Sequence, residues 1–320
     1  MRTTLPLATI ATIVAFAHFA DPAHAARARV FVASYGSDSN PCTFGSPCKT
    51  FQQAVNVVAV GGEVAAIDSA GFGTITISHA ITITSPAGVE AGIAAPASGA
   101  AAITITAGAS DIINLNGLTL DGAGVTNTTG IQFNSGGQLS IRGSAIRNFT
   151  ADGIDFLPNS SALTRLYVSN TLVADNGGLG LLIQPAGSGT TNGVLDHVHI
   201  EDNGSNILSD GLAVQTSTQT INITISDSVS ANNSFSGIAA ISNGGTPVSV
   251  MVRNSTITNN RGDGLEASGS GANVRVTRST VTGNTSGWEI FSGGAVSSFG
   301  DNDIFGNGSA NNAPAGISHE

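Results

Sequence analysis

The chain has 320 residues, among them 41 Gly, 11 Lys or Arg, 21 Asp or Glu and a single Trp, with a formal net charge of −10. Charged residues are only 10% of the chain and apolar residues 41%, against about 25% charged in an average globular domain, which removes Glu/Lys-rich helical bundles, charge-driven disorder and collagen. The formal charge of −10 and a pI near 4.8 leave nothing to neutralise a run of phosphates, so no nucleic-acid partner is expected.

In chain order, Met1-Arg2, the apolar run from Leu5 to Ala20 and the small-x-small sequence Ala23-His24-Ala25 read as a signal peptide over residues 1–25, cleaved near Ala25. The apolar run is shorter than the roughly 20 residues of a membrane span. The mature chain is therefore expected to have no membrane span and to be secreted or periplasmic. Cys42 and Cys48 flank a short Pro- and Gly-bracketed loop. In an oxidising compartment this spacing predicts a structural disulfide contributing roughly 2–3 kcal/mol. Within residues 49–60, Phe51, Ala54, Val55 and Val58 fall on one helical face, which predicts a short amphipathic helix covering the open end of a stack of strands.

Those strands belong to a repeat. Segments starting at Leu139, Ile223, Val250 and Val274 share alternating apolar and Ser/Thr/Arg positions, then an Asn, with Asp-Gly-Ile, Gly-Ile or Asp-Gly-Leu coming after three of them. Asn occupies one slot at 176, 203, 233, 260, 284 and 307, at intervals of 27, 30, 27, 24 and 23 residues. A period of two over three to five residues means half-buried strands, and about 25 residues with two or three such strands make one turn of a parallel β-solenoid. Upstream, Thr74–Ile77, Ile81–Thr84 and Ile103–Thr106 read as the first coils. Coils stack about 4.8 Å apart, so about ten would form a rod of roughly 50 Å. Equivalent Asn residues then form a ladder of amide hydrogen bonds at a tight corner.

The run Pro47-Cys48-Lys49-Thr50-Phe51-Gln52-Gln53-Ala54-Val55, then Gly61-Gly62-Glu63-Val64, then the Thr/Ile strands and the Asn-Ser-x-Ile-x-x-Asn units, resembles right-handed parallel β-helix proteins of the pectin-lyase-like superfamily. The resemblance implies an all-β, single right-handed parallel β-helix of about ten coils with a short N-terminal capping helix. The expected organisation is a cap with the Cys42–Cys48 loop and helix over 26–62, the β-helix over 63–308 and a polar tail over 309–320. The superfamily includes polysaccharide lyases, hydrolases, epimerases and adhesins. The hydrolase-type motifs Asn-Thr-Asp, Asp-Asp, Gly-His-Gly and Arg-Ile-Lys do not occur here.

Candidate catalytic carboxylates are Asp152, Asp210 and Asp263, each before a Gly and a branched apolar residue, with Asp155 and Glu266 three residues after two of them. They recur on alternate coils, about 9.6 Å apart, close to the roughly 6.5–9.5 Å between the carboxyls of an inverting glycosidase. A competing reading takes Asp-Gly as turn chemistry and the alternation as avoidance of stacked like charge. A second cluster, His197, His199 and Glu201, lies on one strand face by alternation and offers metal-ligand types, although three ligands on one strand diverge from a single ion. No cofactor is predicted. With few aromatic platforms for sugars, the sequence favours an exported non-catalytic β-helix that binds or displays at a surface, with polysaccharide or cell-surface partners. The alternative is a divergent polysaccharide-active enzyme with its site on the solenoid flank.

Overall fold

A computed structural model describes residues 27–95, 98–205 and 209–318; the expected signal peptide lies outside them. The first described strand, Arg27–Val32, pairs in parallel with Val58–Ala66. Between them Cys42 and Cys48 form a disulfide and are fully buried. The one helix among the described residues, Phe51–Val57, starts where Thr50 Oγ1 accepts a hydrogen bond from Gln53 N at 3.2 Å, an N-cap that satisfies one of the free first-turn donors. It buries Phe51, Ala54 and Val55, and Phe51 meets the Phe72 ring at 5.0 Å between centroids. From its other face Gln52 Oε1 accepts from Thr76 N at 2.7 Å, while Gln52 Nε2 donates to Thr76 O.

Thr76 sits in the first strand of a nine-stranded sheet that runs from Ile75–Ile77 to Ser286–Phe291. Its strands follow sequence order and every pairing is parallel. Each coil thus adds one strand here and, by its other strands, extends a twenty-stranded sheet. This is a parallel β-solenoid of about ten turns.

The core is a set of columns. Ile75, Ile103, Ile131, Ile154, Leu181, Leu212, Ile238 and Leu265 stack in register and are buried. Each such side chain contributes about 1.5–3 kcal/mol of burial. Two residues along, the column tapers from Phe133 and Phe156, stacked at 4.7 Å, through Ile183 and Val214 to Ala240 and Ala267.

At one corner Asn176, Asn203, Asn233, Asn260, Asn284 and Asn307 are buried one above another. Each backbone N–H and side-chain Nδ2 donates to the Oδ1 of the next, at 2.9–3.2 Å between Asn176 and Asn203 and 3.0 Å for both bonds between Asn233 and Asn260. Above Asn176 the slot holds Phe149, whose N–H donates to Asn176 Oδ1. Below Asn307 the chain bends back so that Asn311 Oδ1 accepts from Asn307 N at 2.8 Å, standing where another coil's amide would be.

Opposite this column, Gly153, Gly180, Gly211, Gly237, Gly264 and Gly287 succeed one another. A Cβ on any of them would lie 2.5–3.0 Å from an Asn Nδ2. The Gly of the Asp-Gly units is therefore fixed by space. None of the six has a positive φ, so the turn-chemistry reading of Asp-Gly is corrected: the Gly makes room for the amide ladder.

Candidate functional site

Along the nine-stranded sheet, residues between the core columns point away from the core. One outward column is Gln132, Asp155, Leu182, Ala213, Ala239, Glu266 and Glu289. A second, one residue before the Gly column, is Asp152, Leu179, Asp210, Ser236, Asp263 and Ser286, as the coil-to-coil bonds of the adjoining glycines and the Asp263–Ser286 register show. Asp152, Asp210 and Asp263 thus share one column on alternate coils, and Asp155 and Glu266 share the adjacent one.

Two groups of carboxyls result. Toward the N-terminal end, Asp152 and Asp155 face each other. Asp152 Oδ1 accepts from Leu179 N at 2.6 Å. Asp155 is 8% exposed and its Oδ1 is buried without a hydrogen-bond partner. Burial first, then the charge of Asp152 and a hydrogen bond to it, pushes the Asp155 carboxyl up to about 8.

Further along, Ser236 links two coils. Its N–H donates to Asp210 Oδ1 at 3.0 Å and its Oγ donates to Glu266 Oε2 at 2.9 Å. Asp210, 7% exposed, is pushed up to about 7 by burial and then by Glu266, against the opposing Ser236 N–H. Asp263 rises to about 6 through burial, Glu266 and Glu289. Glu266 is raised by burial and lowered by the Ser236 hydroxyl. Neither Arg nor Lys occupies either column. The arrangement holds protons on buried carboxyls at pH values where free ones have lost them, which is the condition for general-acid chemistry.

The His cluster is laid out differently from the alternation expected for it. His197 has φ +54° and turns the chain, so the strand register skips it between Asp196 and Val198. Its Nδ1 lies 3.0 Å from Asp196 Oδ2. His199 pairs instead with Glu201 at 2.7 Å. The left-handed corner divides the cluster into two hydrogen-bonded pairs.

Residues 98–304 match the family model described as right handed beta helix region. The chain belongs to that family. This β-helix is also similar in structure to pectate lyase Pel9A, with TM-score 0.58 and 16% identity over 88% of this chain and 72% of that one. The mannuronan C-5 epimerase AlgE4 A-module of Azotobacter vinelandii gives 0.48 and 15% over 81% and 91%. The GH136 lacto-N-biosidase of Eubacterium ramulus gives 0.41 and 10% over 91% and 67%. At these identities the likeness is one of fold, that of a pectin-lyase-like β-helix. Comparison with curated proteins finds no sequence match.

Two members of the carboxyl face are not evident from sequence. Ser236 sits on a coil between the charged ones, and its bridging role shows only in the side-chain geometry. Glu289 goes unnoticed, although Ser286-Gly287-Trp288-Glu289 aligns with Asp263-Gly264-Leu265-Glu266 once the Gly is taken as the anchor.

Proposed function

We propose that this β-helix is an exported, glycan-directed protein whose outward carboxyl columns act as an acid–base site on glycosidic bonds of uncharged sugars. The observation that carries the reading is the Asp210–Ser236–Glu266 bridge with Asp263 beside it, where burial pushes Asp210 up to about 7 and Asp263 up to about 6. Asp210 and Asp263 lie two coils apart, about 9.6 Å along the axis, at the upper edge of the roughly 6.5–9.5 Å used by inverting glycosidases. A protonated Asp210 supplies the proton to the leaving oxygen, and Asp263, which ionises at lower pH, serves as the base for water. Those carboxyls of the columns that are ionised repel polyuronates with no Arg or Lys in either column to offset them, which favours neutral glycans. In the same reading Phe51–Val57 caps the solenoid, Gln52 occupying the edge of Thr76 in place of a further strand.

A second reading, binding or display at a surface without turnover, is favoured by the burial of Asp155, Asp210 and Glu266, each more than nine-tenths inaccessible. Incubation with a panel of neutral and acidic polysaccharides at pH 5–7, with reducing-end and unsaturated-product assays and affinity electrophoresis as readouts, separates the two. Reducing ends released from a neutral glycan and lost in Asp210→Asn and Asp263→Asn support the acid–base site. Retardation without turnover supports the binding reading. Neither turnover nor retardation across the panel overturns the glycan assignment.

A further inference from the structure

The corner that divides the His cluster also builds something the strand pattern does not show. Asp196 pairs in register with Ser226 on the next coil, so the corner residues after them, His197 and Asp227, stack one above the other. Both have positive φ, +54° and +52°. In the same corner Asn170 stands one coil above, at φ +49°, and Asn254 one coil below, at φ +47°. Gly, Asn and Asp suit this backbone, and the column also holds Gly143 above Asn170 and Arg278 below Asn254; between the two Asn residues, successive coils place the metal-ligand types His197 and Asp227.

We infer that Asp196, His197 and Asp227 form a binding site for a divalent transition-metal ion, bridging two coils on the flank away from the carboxyl columns. One donor atom from each lies within 4.8 Å of the other two. Donors around an ion at about 2.1 Å are spaced roughly 3–3.5 Å, so small side-chain rotations close the set. The orientation of two of the ligands is already fixed. Ser226 Oγ donates to Asp196 Oδ1 at 2.7 Å, and Asn254 Nδ2 donates to Asp227 Oδ1. Hydrogen bonds of this kind hold carboxylate ligands in place for an ion. Two carboxylates neutralise a divalent charge, and the imidazole selects zinc, copper or nickel over calcium and magnesium, which prefer oxygen alone. His197 and Asp196 are 60% and 41% exposed, so water completes the coordination. Arg253, on the coil of Asn254, acts on Asp196 as well and competes with the ion for it.

The corner column supplies its own controls, because His197→Asn and Asp227→Asn each restore the residue found at 170 and 254 and should leave the fold intact. Untagged full-length chain titrated calorimetrically with zinc chloride is expected to bind one ion. Its copper complex should show nitrogen hyperfine structure by electron paramagnetic resonance. Each variant should weaken zinc binding at least about tenfold, equivalent to about 1.4 kcal/mol, and His197→Asn should remove the nitrogen signal. His199→Thr, which removes only the separate His199–Glu201 pair, should bind zinc as the parent does. Absence of binding at about millimolar zinc, a weak affinity by any standard, overturns the site. So does zinc affinity unchanged in both His197→Asn and Asp227→Asn, or lost in His199→Thr.

Discussion

Gly211 has no side chain because Asn233 fills its place: a Cβ there would stand 2.5 Å from Asn233 Nδ2 and 2.7 Å from Ser230 Oγ. Asn233 and Ser230 bond to each other and to backbone, Ser230 Oγ donating to Gly237 O, so neither is free to withdraw. Gly211→Ala should therefore destabilise by about 1–3 kcal/mol, the cost of overpacking a filled interior. Urea unfolding of the variant against the parent measures it. A midpoint equal to or above that of the parent would show that the column yields.

The amide column itself should be stiffest in its middle. Asn233→Ala leaves the buried Asn203 N–H without its acceptor and takes one of two partners from Asn203 Nδ2 and from Asn260 Oδ1, and should cost about 1–3 kcal/mol, the penalty of an orphaned buried group. Asn311→Ala, at a position open to water, should cost less than about 1 kcal/mol. Equal losses in the two variants would contradict a cooperative ladder.

The carboxyl columns set a pH dependence with a definite sign. Asp155, Asp210 and Asp263 hold their protons up to about 8, 7 and 6 in the folded chain, against 3.8 for a free Asp. Between the free value and these, the folded state binds more protons than the unfolded one, so stability falls as pH rises. This contribution is complete below about pH 4 and lost as the pH passes 6, 7 and 8 in turn. Asp68 and Asp196 act oppositely: hydrogen bonds from Ser34 and Ser226 hold them below the usual range, so their contribution is present above the free value and lost in stronger acid. Melting temperature should fall from pH 5 to pH 8.5, and Asp155→Asn should remove the upper part of that decline. A flat or rising profile would mean that the carboxyls are not protonated in the fold.

The disulfide closes a separation of six residues. Loop entropy gives it about 2 kcal/mol. Replacing Cys42 and Cys48 together by Ser should lower stability by about that amount while leaving the circular dichroism of the solenoid unchanged. Loss of the β-sheet signal would instead make the loop a requirement for folding.

How legible each residue is in the sequence depends on the kind of force that fixes it. The columns of Ile, Leu and Asn are repeated demands of stacked coils, and a period that recurs is visible in a string of letters. Gly153 and Gly264 are visible but easily misread, because a local turn and a crowded neighbour one coil away select the same residue. Ser236 and Asp227 are opaque for a related reason. Their partners, Glu266 and His197, lie 30 residues off in either direction, and a single pairing between coils leaves no period. His197 shows the opposite hazard: two-residue alternation is sound along a strand and fails at the first left-handed corner.

Asn311 carries a last consequence. A stack of identical corners is an open template, since the final amide would offer its unpaired N–H and Nδ2 to any molecule presenting the matching oxygen, another copy of the protein above all. By folding its own side chain back onto Asn307, the chain consumes that offer within one molecule. The same chemistry that lets coil add to coil is thus shut off at one end, and the rod has a built-in obstacle to growing head to tail into a fibre.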